Sequence, residues 1–233
     1  MMTKALVIIP ALNEEATLRE VILGIRSFLP QADILVVSDG STDSTVTIAR
    51  EQRAFVLEHP YNMGIGATMQ TGFLYALRNG YDIAIQVDGD GQHNPESLPF
   101  LIEPLLTGQA DMVIGSRYLS DGGFKSTLPR KIGIKFFSLV TWVFTQKRVT
   151  DPTSGFRAIN RRGLELFVNE YPPDYPEVEA LISASKRGFR FVEIPTRMRD
   201  RQGGSSSIGL LSALYYMVKV TLSISIGSFR RVR

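Results

Sequence analysis

Apolar and polar positions along this chain come in blocks rather than alternating residue by residue. The runs "ALVIIP" (5–10), "ILVVS" (34–38), "IAIQV" (83–87) and "DMVIGS" (111–116) are almost uniformly apolar. Such runs predict strands buried on both faces, and "AFVLE" (54–58) is a weaker example. Between them the apolar positions take up helical spacing. Leu18, Val21, Ile22, Ile25 and Leu29 recur at intervals of three and four, which predicts an amphipathic helix with Asn13 as its N-cap. Phe73, Leu74 and Leu77 extend a second helix opened by the glycine-rich "NMGIGATMQTG". Strands alternating with helices predict βαβ units, hence an α/β fold with a mostly parallel central sheet. Ligands of such sheets lie beyond the carboxyl ends of the strands. Here those ends carry Asn13 and Glu14, Asp39 to Asp43, Asp88 to Gln92, and Arg117, so the polar groups converge on one edge.

After residue 117 the texture changes. The segment "GGFKSTLPRKIGIKFFSLVTWVFTQKR" places Phe136, Phe137, Val140, Trp142, Val143 and Phe144 between Arg130, Lys131 and Lys135 on one side and Lys147 and Arg148 on the other. A helix near 130–146 with this make-up reads either as an interfacial helix on a membrane or as an ordinary core helix with solvated ends. A second apolar stretch, "IGLLSALYYMVKVTLSISIG" (208–227), has roughly the length that crosses a bilayer. Lys219 and recurrent Ser and Thr interrupt it, and it reads as a helix lying on a membrane or packed on a partner.

Composition narrows the field. With 233 residues, 44% apolar and 21% charged, the chain fits one large domain with a sizeable core. The expected division is a catalytic domain over 1–207, split into a 1–117 half and a 118–207 half, followed by a C-terminal amphipathic helix and basic tail over 208–233. A net charge of +3 gives no reason to expect nucleic acid as a partner. The absence of cysteine excludes disulfides and thiolate zinc sites. Met1 to Ile9 is too short for a signal peptide, so a cytoplasmic location is expected.

Asp88 and Asp90 sit on one tight Asp-Gly-Asp turn, close enough to share a centre. Two adjacent carboxylates repel unless a cation neutralises them, and hard oxygen donors suit Mg²⁺ or Mn²⁺. The amide of Gln92 would add a further ligand. An Asx-type turn is the plainer alternative, and placement beyond a buried strand is what favours the metal. Asp39 is a candidate acceptor for ribose hydroxyls or a base N–H, and Asp43 a candidate cap for the helix from Ser44. Gly64 and Gly66 suit close approach of backbone to a phosphate or sugar. Neither a P-loop nor a Gly-x-Gly-x-x-Gly follows the first strand, which argues against P-loop enzymes and Rossmann dehydrogenases. His59 and His93 acquire no catalytic role at this level.

The ordered series "VIIPALNEE", "VVSDGSTDST", "HPYNMGIGATMQTG", "QVDGDGQHNPE", "GSRY", "DPTSGFRAINR" and "RQGGSSSIG" resembles the family 2 glycosyltransferases of the GT-A fold. Within them it is similar to polyprenyl-phosphate hexose synthases such as dolichyl-phosphate mannose synthases and bacterial undecaprenyl-phosphate glucosyltransferases. The resemblance spans roughly residues 4 to 210. It implies that Pro10, Asn13, Glu14 and Asp39 contact the nucleotide and that Gly64 and Gly66 lie beside the donor sugar. It further implies that Asp88, Asp90 and Gln92 hold the metal, that Arg117 with Arg130 or Lys131 binds an acceptor phosphate, and that Arg201 contacts the donor diphosphate. Glu179 occupies the position of an acid in related enzymes. The sequence departs at "GGSSS" (203–207), where the family often has a lysine.

The expected activity is inverting transfer of a hexose from a nucleotide-diphosphate sugar, with UDP-glucose favoured by "DGSTD", to a polyprenyl phosphate at the cytoplasmic membrane face. A small membrane-protein partner would fit relatives that do not span the membrane. A saccharide acceptor, with Glu179 or Asp151 as base, is the alternative. A silent nucleotide-sugar-binding module and nucleotidyl transfer stand behind both.

Overall fold

The computed structural model describes residues 3–119, 128–172 and 176–199 together with Lys219, and only the backbone of 128–130. Seven strands form one sheet: β1 (Ala5–Ala11), β2 (Asp33–Ser38), β3 (Phe55–Glu58), β4 (Ile83–Gln86), β5 (Met112–Ser116), β6 (Arg157–Asn160) and β7 (Phe191–Pro195). Among the described residues the helices that accompany them are α1 (Leu18–Phe28), α2 (Thr45–Glu51), α3 (Ile65–Arg78), α4 (Leu98–Leu106), α5 (Leu128–Thr145), α6 (Arg161–Glu170) and α7 (Pro176–Lys186), with a short 3-10 turn at Pro95–Ser97. The strand order is β3-β2-β1-β4-β6-β5-β7. The five strands expected from apolar runs all form, and the pairings β1–β2, β1–β4, β2–β3 and β5–β7 are parallel.

β6 is the exception. It lies antiparallel between β4 and β5, so the loop that enters it, residues 151–156, reaches the same edge as the loops that leave β4 and β5. "RAIN" is four residues long and opens on an arginine, which is why no apolar run announced it. The edge strand β7 was equally hidden, since "FVEIP" carries Glu193 at its centre and is only partly buried.

Both faces of the sheet are covered, which explains the uninterrupted apolar strands. On β1, Val7 and Ile9 pack with Leu18, Ile22, Ile25, Leu101 and Leu105 from α1 and α4. Leu6 and Ile8, pointing the other way, pack with Met69, Phe73, Leu164, Phe167 and Leu181 from α3, α6 and α7. Burial at 25 cal/mol per Å² over both faces makes this double layer the main source of stability. α5 lies apart from this packing, with Phe137 and Val140 on Val178 and Ile182 of α7.

The first helix corrects one expectation. Its N-cap is Thr17, without a side-chain capping bond, and Asn13 stands four residues earlier with φ of 56°. The intervening turn is anchored to the start of α2: Thr45 Oγ1 accepts the N–H of Glu14 (2.8 Å) and Asp43 Oδ2 that of Glu15 (3.1 Å). Asn13 Oδ1 in turn accepts the N–H of Thr42 at 2.8 Å. Loop-to-loop bonding displaced the cap. Asp43 does serve α2, with Oδ1 accepting the N–H of Thr45 at 2.9 Å.

Close packing at the carboxyl edge is sensitive to a single methyl group. A Cβ at Gly115 would overlap the Phe156 ring and stand 3.2 Å from Thr196 Cγ2. Overpacking of this kind typically costs about 1–3 kcal/mol. Gly115→Ala is expected to lower urea-unfolding stability by that amount, whereas Gly108→Ala, with open space around its Cβ position, suffers only the cost of its φ of 70°. Equal stability of Gly115→Ala and the parent protein would contradict the packing described.

Candidate functional site

The carboxyl ends of β1, β2, β4 and β5 and the amino end of β6 meet around the Asp88–Gln92 loop. Gly89 is what allows the loop to sit against β1: a side chain there would stand 3.1 Å from Glu14 Cγ and 3.5 Å from the Pro10 carbonyl. Its own carbonyl accepts the Thr17 hydroxyl at 2.6 Å. On the opposite side, Gly155 lets the β6 entry loop approach, because a Cβ there would be 2.9 Å from Gln86 Nε2 and 3.2 Å from Asp88 Oδ2. Asp90 Oδ1 accepts the N–H of Gln92 at 3.0 Å, so the Asx turn and the paired carboxylates coexist. Among the described residues no three acidic or histidine side chains gather as a complete metal shell. Asp88 Oδ1 accepts from Gln86 Nε2 at 3.2 Å, and Asp90 stands two residues on in the same loop; carboxylate and amide oxygens are the donor type that hard divalent cations take.

His93, given no role by sequence, holds this loop. Its ring is buried, and Nδ1 accepts the main-chain N–H of Asp88 at 3.1 Å. In the neutral ring the proton then sits on Nε2, 3.5 Å from Asp88 Oδ2. The ring stacks on Phe156 with centroids 4.8 Å apart. His93 also pairs with Met198, and the Gln92 carbonyl accepts the N–H of Arg199 at 2.9 Å. The chain leaving β7 is thereby drawn across the loop.

Asp39 is buried at the end of β2. Its carboxylate accepts the N–H groups of Met63 (2.8 Å) and Gly64 (2.9 Å), while His59 Nδ1 lies 2.8 Å from Oδ1. The far side of that ring meets Thr71 Oγ1 at 3.0 Å. Burial works to raise the Asp39 pKa, but the Met63 N–H, His59 and the Gly64 N–H together outweigh it and hold the carboxyl below its ordinary value. Two expectations change as a result. The Met63 and Gly64 N–H groups point at Asp39 rather than standing open for a phosphate, and His59 acquires a role as the orienting partner of Asp39. Gly64, with φ of 89°, is the N-cap of α3, and Gly66 is buried inside that helix.

Arg117, which follows β5, is buried against Asp151, which has no exposed surface. Nε donates to Asp151 Oδ2 at 2.6 Å and Nη2 to Oδ1 at 2.7 Å, while the main-chain N–H adds a bond of 3.1 Å. Nη2 also reaches Thr153 Oγ1 at 3.0 Å. Burial opposes the charge on Arg117, and the Asp151 carboxylate overcomes that penalty and keeps the guanidinium protonated. The sequence signal existed, since "DPTSG" follows the predicted strand ends, but nothing in it says which cation Asp151 meets.

A second buried arginine was missed. Arg157 donates to the carbonyls of Ser154 (2.6 Å), Pro152 (2.6 Å) and Glu177 (2.7 Å), tying the β6 entry loop to the start of α7. On the first turn of α7, Glu177 interacts electrostatically with Arg157, Asp88 and Arg117. Burial raises its carboxyl pKa, with Arg157 offsetting part of that effect. Glu179 lies one turn-face away, partly buried. Lys131 is exposed at the start of α5. The Arg130 side chain, Arg201, and the 208–233 segment apart from Lys219 lie outside the described residues.

The sequence profile of Glycosyl transferase family 2 matches residues 6–167. The chain is 32% identical over 227 residues to the polyprenol monophosphomannose synthase of Mycolicibacterium smegmatis, covering 93% of this chain and 85% of that one. It is 30% identical over 210 residues to the UDP-N-acetylglucosamine–dolichyl-phosphate N-acetylglucosaminyltransferase of Methanococcus voltae, covering 82% and 83%. Among solved structures, glucosyl-3-phosphoglycerate synthase from Mycobacterium tuberculosis superposes with a TM-score of 0.72 at 23% identity, over 97% of this chain and 79% of that one. This last similarity establishes the shared fold.

The Asp39 cluster yields a pH-dependent expectation. Its carboxyl titrates below the ordinary value of 3.8, so the stabilisation is fully present above about pH 4 and is lost as pH falls through the lowered folded value. Asp39→Asn removes charge-assisted bonds and turns an amide NH₂ toward a donor, at a cost of about 2–3 kcal/mol at pH 7. Urea unfolding of both proteins from pH 7 to pH 2.5 should show that gap shrinking only below pH 4. A gap independent of pH would refute the assignment.

Proposed function

This chain belongs to glycosyl transferase family 2, and from that premise we propose that it transfers a hexose from a nucleoside-diphosphate sugar to a polyprenyl phosphate at the cytoplasmic face of a membrane. The observation that carries the choice of acceptor is the state of Asp151. A hydroxyl acceptor needs a general base near the anomeric carbon. Asp151, one candidate for it, has both oxygens engaged by Arg117 and would have to abandon a buried guanidinium to take up a proton. A phosphate monoester has a second pKa of about 6 and brings its own anionic oxygen. That oxygen attacks the anomeric carbon, the bond from that carbon to the donor's β-phosphate oxygen breaks, and the nucleoside diphosphate departs with the electron pair.

Asp88, Asp90 and Gln92 would hold a divalent cation, Mg²⁺ or Mn²⁺, which when bound neutralises the charge of the leaving diphosphate. His93 fixes the main chain beneath Asp88, and Gly89 and Gly155 keep both walls of the loop free of side chains. Asp39, oriented by His59, is the acceptor for the nucleoside beyond β2, with Pro10, Asn13 and Glu14 beside it. Arg117 orients the incoming phosphate, supported by Lys131 and Arg130 at the start of α5, and Arg201 meets the donor diphosphate. The relatives are named for mannosyl and N-acetylglucosaminyl transfer, so UDP-glucose is taken forward as one donor among several. A saccharide acceptor remains the second reading, favoured by the raised pKa of Glu177 beside the loop, with Glu179 on the same turn.

The test is transfer itself. Protein with Mn²⁺, a short polyprenyl phosphate and labelled UDP-glucose, GDP-mannose or UDP-N-acetylglucosamine is expected to give an organic-extractable product with one donor strongly preferred. Asp90→Ala should reduce that rate by at least 100-fold, a loss of about 3 kcal/mol, with unchanged thermal unfolding. Label appearing only on a saccharide would overturn the lipid acceptor.

Membrane contact is assigned to α5. Ile132, Leu139, Trp142 and Val143 are all more than two-fifths exposed and share one face, opposite Ile134, Phe137, Val140 and Thr141, which are buried. Lys131 and Lys135 are exposed on the same helix, and Arg148 is exposed just beyond it, a composition suited to an anionic interface. No helix among the described residues is long and apolar enough to cross a membrane. Flotation with anionic liposomes should fall at least fivefold in Leu139→Glu/Trp142→Glu. Undiminished flotation would remove α5 from the membrane surface.

A further inference from the structure

The middle of β7 carries a carboxylate whose contacts all lie in the loop before β6. Glu193 Oε2 accepts the N–H of Thr150 at 2.8 Å. Its Oε1 accepts the Thr150 hydroxyl at 2.9 Å and the N–H of Asp151 at 3.0 Å. Three donors on two adjacent residues therefore converge on one side chain, and the peptide plane from which Asp151 projects is held by it directly. The Thr150 hydroxyl extends the linkage. It lies 2.7 Å from Ser116 Oγ, which accepts the N–H of Tyr118 at 3.2 Å. Ser116 and Tyr118 flank Arg117, and the Ser116 carbonyl accepts the N–H of Thr196 at 2.9 Å, three residues beyond Glu193.

Loop N–H groups near a surface are commonly satisfied by water, at little cost and with little constraint. Committing a carboxylate to them requires nearly full hydrogen bonding of that group and yields a fixed geometry in return. That geometry matters because a guanidinium is a planar fork whose direction is set by its bidentate partner. Asp151 takes Nε and Nη2 of Arg117, so a tilt of the 150–151 peptide swings the whole fork. We propose that Glu193 is a positioning residue for Arg117, acting through Thr150 and Asp151 to fix the orientation in which the guanidinium meets the acceptor phosphate. The assignment rests on the phosphate-acceptor function proposed above. It is distinct from a merely structural role because its effect must pass through Arg117.

A double-mutant cycle separates these cases. Glu193→Gln keeps the side-chain volume but presents an NH₂ to one of the loop donors. It is expected to raise KM for a short polyprenyl phosphate about tenfold, while KM for the nucleotide sugar changes less than twofold. Arg117→Lys alone should raise acceptor KM by a comparable or larger factor. With Lys at position 117, adding Glu193→Gln should have no further effect, since no fork remains to be aimed. Thr150→Val, which removes the hydroxyl link to Glu193 and Ser116 but retains both N–H bonds, should give an intermediate rise. It also provides a reading should Glu193→Gln fold poorly, as judged by thermal unfolding. Equal losses for donor and acceptor, or a Glu193→Gln effect of the same size in both backgrounds, would overturn the positioning role and leave Glu193 as a structural tie. An acceptor effect of Arg117→Lys without one of Glu193→Gln or Thr150→Val would also overturn it, with the phosphate acceptor intact. Unchanged acceptor KM in Arg117→Lys would instead overturn the phosphate-acceptor assignment, and the role of Glu193 with it.

Discussion

A guanidinium and a carboxylate, both out of water, organise the right-hand half of this sheet. Arg117 and Asp151 meet through three bonds, two of them from the guanidinium fork. Pairs of this kind contribute little net stability, because desolvating two charges consumes most of what their attraction returns, whereas removing one partner typically costs about 3–5 kcal/mol. Their value lies in geometry. The pair exists only because β6 runs antiparallel between β4 and β5, which brings the loop holding Asp151 to the edge where β5 delivers Arg117. Reversal of one short strand thus sets the charge distribution at the Arg117 end of this edge. It also places Gly155 against Asp88, so the same loop shapes both halves of the site.

The Asp39 and Asp88 end follows a related logic with histidine. His59 orients Asp39 and is itself held by Thr71. His93 holds the main chain at Asp88 and is held by stacking on Phe156. Phe156 fits only because Gly115 offers no side chain. Each histidine uses both ring nitrogens, as a short spacer that bridges a strand end to a neighbouring element. The site therefore depends on second contacts that lock its carboxylates before any ligand arrives, which is the arrangement that preorganised polar catalysis requires.

Much of this was legible in the order of residues. Burial of β1 on both faces demands an unbroken apolar run, and "ALVIIP" is one; the carboxyl-edge rule then located Asn13, Asp39, Asp88 and Arg117 on a common rim. The helix start was misplaced because Asn13 has the chemistry of a cap, and only its cross-loop bonds to Ser41 and Thr42 reveal that it is used elsewhere. β6 and β7 escaped because each carries a charged residue, Arg157 at the start of β6 and Glu193 in the middle of β7, and each spends its charge on loop backbone, an arrangement invisible to periodicity. His59 was set aside because its partner Asp39 lies 20 positions away, and His93 because its bond is to the main chain of Asp88 rather than to a catalytic side chain.

Alternation of apolar blocks with helical spacing, together with polar residues at strand ends, determined by itself the layered α/β architecture, the edge where the site lies and the chemical types gathered there. These are local properties, since strand burial and helix amphipathicity are set by neighbours within one or two turns. Only the tertiary structure decided which charges face a ligand and which face each other. Arg117 and Asp151 are 34 positions apart, Asp39 and His59 20, and Thr150 and Glu193 43. A carboxylate's reactivity depends on what lies within about 4–6 Å of it, and such distances are set by how strands are ordered and reversed, which no single segment encodes.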